Sequence, residues 1–154
     1  MAPLTLENLD SLKAFVGREV ALTDWFVLTQ ERIKQFAEAT EDRQWIHVDP
    51  ERARSESPYG ATIAHGFLTL SLLSHFMKQA IEIRSGLRMA INYGLNRVRF
   101  PSAVRASSKI RARMALQSYK ELSGCVEAVF AISVECQGAE KPCCAAEWIV
   151  RYYS

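Results

Sequence analysis

The chain has 154 residues, of which 49% are apolar and 23% charged, with a formal net charge of +2. That length makes one domain, residues 1–154, the default and is enough to bury a core without disulfide or metal staples. The near-balanced charge speaks against a dedicated nucleic-acid binder, which carries a strong basic excess.

The opening Met1-Ala2-Pro3-Leu4-Thr5-Leu6-Glu7 has no basic region followed by an apolar run, so no secretory signal is expected. Residues 18–28 hold Val20, Leu22, Trp25, Phe26 and Val27 and predict an early strand. Thr29 fits an N-cap with Glu31 in the first turn, and Ile33, Phe36, Ala37 and Thr40 recur at helical spacing. Residues 41–50 predict a polar loop, 51–54 a short helix, and 55–60 a turn.

Residues 64–84 are helical in period and apolar on more than one face, which predicts a single long buried helix stopped by Gly86. Its apolar part, Ile63 to Met77, carries His65, Thr69, Ser71, Ser74 and His75. It is too short and too polar to span a bilayer, so no membrane association is expected. Residues 90–100 predict a strand closed by Pro101. The runs around Ile110–Leu116, Val126–Cys136 and Ala146–Tyr152 alternate apolar and polar residues, as three antiparallel strands do. A curved antiparallel sheet wrapped around one central helix, an α+β domain, follows.

Cys125, Cys136, Cys143 and Cys144 all lie in the last third of the chain and form no C-x-x-C pair. Reduced thiols in a cytoplasmic protein are the simplest reading. A zinc site at Cys136, Cys143 and Cys144 lacks the usual paired ligand spacing, so no metal is expected.

Two short segments carry the candidate chemistry. Asp42-Arg43-Gln44-Trp45-Ile46-His47 sets a carboxylate and an imidazole five positions apart past a helix end, and Ile63-Ala64-His65-Gly66-Phe67 opens the apolar helix. A carboxylate and an imidazole on one loop can exchange protons with a shared water. A free N–H at a helix start can hold developing negative charge.

Phe36 through Ala53 resembles the hydratase signature of the MaoC-like, (R)-specific enoyl-CoA hydratase family, roughly S-G-D-x-N-P-x-H-x-D followed by Ala. Ile63 to Ser74 is similar to the start of that family's central helix, and the whole chain looks most like the single-domain, nodulation-protein-N-like branch. The resemblance implies a hotdog fold and reversible addition of water to trans-2-enoyl-CoA, giving (R)-3-hydroxyacyl-CoA. It assigns Asp42 and His47 as the catalytic pair, without deciding which is the formal base, and the Gly66 N–H as donor to the thioester oxygen. Ser74 matches a site serine of some members, and Gln44 stands where the signature has Asn. Asp49 matches a family position but also suits a cap for the helix that follows. His65 is expected to fix the loop, and His75 to lie off the site.

Glu41 replaces the signature's Gly and Trp45 its Pro. Arg97, Arg99, Arg105, Lys109, Arg111 and Arg113 are candidates for the phosphates of coenzyme A, and equally for a solvated strand face. Asn92 and Tyr93 suit an acyl tunnel or the core. No cofactor is implied beyond coenzyme A as part of the substrate, and a homodimer is expected. A hotdog acyl-CoA thioesterase, a non-catalytic acyl-CoA-binding module and a subunit of a larger complex are the competing readings.

Overall fold

The computed structural model describes residues 2–154. The chain begins with β1 (Leu4–Asn8), a 3-10 helix (Leu9–Phe15), β2 (Arg18–Leu22) and β3 (Phe26–Leu28). It continues through α1 (Gln30–Thr40), α2 (Trp45–Val48), α3 (Pro50–Glu56), α4 (Gly66–Ser71) and α5 (Leu73–Ala80). It closes with β4 (Ile81–Ser85), β5 (Met89–Arg99), β6 (Ser108–Leu122), β7 (Cys125–Cys136) and β8 (Cys144–Tyr153).

The main sheet runs β2-β6-β7-β8-β5, with β3 also paired to β6, and every pairing in it is antiparallel. Period-two alternation puts one side of each strand inward: Ile110, Ala112, Met114 and Leu116 from β6, Val126 to Cys136 from β7, and Trp148, Val150 and Tyr152 from β8. The opposite side carries ion pairs between neighbouring strands, Arg111–Glu135, Arg113–Glu19 and Arg151–Glu127. Leu68, Leu72, Leu73 and Phe76 of the helix fill the concave side, with Phe76 and Phe130 fully buried. Each such side chain contributes about 1.5–3 kcal/mol of burial. This is the α+β hotdog arrangement.

The structure corrects three expectations. The strand over 18–28 is two strands. Buried Thr23 donates its N–H to Ala112 O, and its hydroxyl accepts from Ala112 N, so a side chain replaces ladder bonds where the edge bends. The single helix over 64–84 starts at Gly66, tightens at Leu72, whose N–H is shared between Leu68 O and Thr69 O, and ends at Ala80. Beyond it Ile81-Glu82-Ile83 alternate as strand β4, which pairs in parallel with β1. The helix is also not buried all round: apolar Phe67 is 70% exposed. Finally, the loop over 41–50 contains the one-turn α2.

No helix among the described residues is long and apolar enough to cross a membrane.

Candidate active site

α1 starts at the Thr29 N-cap, whose hydroxyl accepts from Arg32 N, and ends at Glu41 in the left-handed region with φ 62°. This is the position where the hydratase signature has glycine. A side chain there costs about 1–2 kcal/mol. Arg43 bridges Glu38 and Glu41 across the turn in exposed ion pairs. The turn projects Asp42, half-buried, into a cavity of about 450 Å³ lined by Phe36, Thr40, Asp42, His47, His65, Gly66, Phe67 and Phe100.

α2 presents His47, which is 6% exposed. Its Nδ1 lies 2.7 Å from the carbonyl oxygen of Ile63. A carbonyl only accepts, so Nδ1 carries the hydrogen, and neutral His47 keeps its lone pair on Nε2. Burial lowers the His47 pKa below 6.5; the Ile63 hydrogen bond and Asp42 oppose the shift, and His65 adds to it. His47 is therefore neutral near pH 7, with Nε2 available as a proton acceptor.

The main chain under His47 is fixed from the far side. Gln30 donates from Nε2 to His47 O at 2.7 Å, the Thr62 hydroxyl donates to Gln30 Oε1, and Ile63 N donates to Ile46 O at 3.0 Å. Gln30 and Thr62 are supports of the His47 main chain that sequence reasoning missed. They are 32 positions apart, and nothing local marks polar residues that meet only in the fold.

His65 is 4% exposed. Its Nε2 lies 2.9 Å from Asp42 O and 4.0 Å from Asp42 Oδ2. Its ring stacks on His47 at 3.7 Å between centroids and 23° between planes, with Phe36 packed at 4.9 Å.

Asp42, His47 and His65 bring possible ligand atoms within 4.8 Å of one another. The geometry suits proton exchange better than a metal. His65 Nε2–H and His47 Nδ1–H are each committed to a carbonyl oxygen, which leaves neither nitrogen free to ligate. The cysteines are no better placed: burial pushes the Cys143 thiol up to about 12 and Cys144 to about 11, so both stay protonated in the core.

Gly66 opens α4 on the cavity wall, and as the first helical residue its N–H has no intrahelical acceptor. A Cβ at Gly66 would sit 2.9 Å from two ring atoms of Phe100, so a larger residue must displace the ring that roofs the cavity. Asp42, His47 and Gly66, three of the residues the resemblance assigns, thus line one cavity, and His65, expected only to fix the loop, lines it with them.

Ser74 and Gln44 do not join them. Ser74 lies in a neighbouring groove of about 260 Å³ with Leu70, Asn92, Leu95 and Trp148, where Asn92 Nδ2 donates to its hydroxyl at 3.4 Å. Phe67 borders both the groove and the cavity. Gln44 is exposed at the start of α2, where its carbonyl accepts from His47 N and Val48 N. Trp45 packs under the Arg52 guanidinium at 4.3 Å. Asp49 is the N-cap of α3, accepting from Arg52 N at 3.1 Å. His75 packs edge-on against Phe26, away from the cavity. Tyr93 points outward under Arg151 at 3.4 Å. Of the basic candidates, Arg111 and Arg113 are held by Glu135 and Glu19. Arg97 remains exposed, with Glu147 at 3.8 Å.

The sequence matches the MaoC like domain family over residues 11–135. It is 48% identical over 149 residues to 3-hydroxyacyl-thioester dehydratase Z of Mycobacterium tuberculosis (strain ATCC 25618 / H37Rv), covering 96% of this chain and 97% of that protein. Nodulation protein N of Rhizobium meliloti (strain 1021) is 40% identical over 143 residues, covering 92% of this chain and 89% of that one. The unliganded R-hydratase PhaJ1 from Pseudomonas aeruginosa aligns with a TM-score of 0.69 over 90% of this chain and 82% of that one, at 19% identity, a likeness of fold.

Proposed function

This chain belongs to the MaoC-like dehydratase family, and from that premise we propose that it is a hydro-lyase. It removes water from a 3-hydroxyacyl thioester and, in reverse, adds water to a trans-2-enoyl thioester. The observation that carries the reading is the convergence of the Asp42 carboxylate and the His47 imidazole, its tautomer set by Ile63 O, in one apolar-walled cavity. The named dehydratase relative at 48% identity supports the reaction class.

In the proposed hydration, His47 Nε2 takes one proton from the water as its oxygen adds to C3, and a proton returns to C2 on the same face. Asp42 accepts the water's second hydrogen in a hydrogen bond and balances the transient imidazolium charge. The Gly66 N–H donates to the thioester oxygen, where enolate charge gathers. The hydroxyl product is the (R) epimer, and coenzyme A carries the acyl chain, with exposed Arg97 a candidate for its phosphates. Four free cysteines suit an enzyme of the reducing cytoplasm.

The test is ultraviolet loss of the enoyl-thioester chromophore with crotonyl-CoA and a longer enoyl-CoA, run beside free-thiol release and repeated with acyl-carrier-protein thioesters. Chromophore loss without thiol release, giving the (R)-hydroxy product, is expected. Thiol release instead would make the protein a thioesterase, and binding without turnover an acyl-binding module. Turnover of carrier-protein thioesters alone would move the carrier assignment.

The enzyme acts as a homodimer in this proposal. β5 bonds to β8 along one edge only, and its Met89, Ile91, Tyr93 and Leu95 are 41–54% exposed. An apolar open edge of this length favours pairing with a second copy. Light scattering is expected to give twice the monomer mass, with Ile91→Lys shifting it toward monomer; a monomeric wild type would sink the dimer.

A further inference from the structure

We infer that His65 is a positioning residue that ties the two halves of the acid–base pair together, its ring nitrogen fixing the main chain of Asp42 and its ring face fixing the imidazole of His47. The inference rests on the hydro-lyase reading but reaches a residue outside the reacting pair.

Three observations carry it. The first is the pair of simultaneous contacts. Nε2–H donates to Asp42 O at 2.9 Å while the ring lies 3.7 Å over His47. Asp42 stands on the turn after α1 and His47 on α2, and residues 43–46 separate them along the chain. His65, immediately before Gly66, joins both to the start of the central helix. One imidazole therefore sets the spacing of carboxylate, imidazole and helix-start N–H, and a displacement of 1 Å in such a set is enough to slow turnover markedly.

The second is a mismatch with a purely structural role. His65 Nδ1 is buried and has no hydrogen-bond partner. A buried polar atom left unpaired is destabilising. Phe at this position would keep the ring, the stack on His47 and the contact with Phe36, and would remove the unpaired atom. The same change would lose the Nε2–H bond to Asp42 O, so what histidine adds over a plain ring at this position is that tie to the Asp42 main chain.

The third is electrostatic. The groups facing His65 are Asp42 and His47, with the Phe36 ring packed beside it. The His65 ring works against protonation of His47, adding to the effect of burial. The stacked ring thus acts in the same direction as burial, toward the neutral form of His47.

The experiment compares His65→Phe, which keeps a ring face but no donor, with His65→Gln, which keeps an N–H donor of similar reach but no ring face. Three readouts are taken: enoyl-thioester kinetics, thermal unfolding, and nitrogen-15 imidazole NMR titration of His47. In each variant kcat is expected to fall about 10- to 100-fold, with KM within about threefold. His65→Phe is expected to keep its unfolding midpoint within about 3 °C of wild type. The His47 titration midpoint is expected to rise in both variants. The inference is overturned by a kcat within threefold of wild type in either variant, or by an unmoved His47 midpoint in either. If one variant fails to fold, the other decides by the same criteria. If the wild type turns over no thioester, the hydro-lyase reading fails, and the NMR titration judges the His65–His47 coupling by itself.

Discussion

Asp42→Asn is expected to lower kcat on an enoyl thioester about 10³-fold while the protein stays folded. The two side chains are nearly the same shape, and Asp42 is half-buried on an exposed turn, so the change leaves the packing of the cavity intact. The charge is lost. An amide cannot balance an imidazolium forming on His47, and its NH₂ offers a donor where the water needs an acceptor. Asp42 also raises the His47 pKa, so its removal moves the acid limb of any residual activity to lower pH. Stopped-assay kinetics across pH 5 to 8 on wild type and variant would read both effects. A variant within tenfold of wild type would remove Asp42 from the chemistry.

The second large effect is at His47. His47→Gln is expected to cost about 10³- to 10⁴-fold in kcat/KM, because glutamine fills the space but cannot take up a proton near pH 7. The pH dependence gives the sharper test. His47 has its pKa lowered by burial, so in the folded protein it protonates only below 6.5. kcat/KM should therefore be flat near neutrality and fall as pH drops through a midpoint below 6.5, and the variant should lack that limb. Stability moves in the same direction. The unfolded chain protonates this histidine before the folded protein does, so folding free energy is lost as pH falls below the unfolded value and through the lowered folded one. His47→Gln should weaken that loss, which thermal melts between pH 5 and 7.5 would measure. An acid limb retained by the variant would assign it to another group.

Legibility in the sequence followed the range of the interactions. The Thr29 cap and the Asp49 cap are local features, and each stands where residue type and position indicated. β6, β7 and β8 were readable because one side of the sheet is buried, which enforces strict alternation over many residues. The pairing of β1 with β4 was not. Each strand has only five residues, and Ile81 and Ile83 also extend the helical pattern of the segment before them. Within the site, Asp42 and His47 were legible through the signature they resemble. The resemblance to the family also drew Gln44 and Ser74 into the candidate set, yet one faces solvent and the other a separate groove. Gln30 and Thr62 were invisible, since their hydrogen bonds join distant parts of the chain. Glu41 is the instructive departure. It holds positive φ where the signature has glycine, with Arg43 paired to it, so the turn that aims Asp42 forms here without glycine.

The parallel ribbon of β1 and β4 has a consequence for how the chain is made. Leu4 lies opposite Ile81 and Asn8 opposite Ser85. During synthesis the first strand leaves the ribosome long before its partner exists, and closing so large a loop is entropically slow compared with forming a helix or hairpin. The ribbon therefore assembles after the central helix has formed. Until then Leu6, which the finished protein buries, stays in water. Extensions fused ahead of residue 4 are therefore expected to change refolding yield more than kcat/KM, which refolding and kinetics of the fused and unfused chains would check.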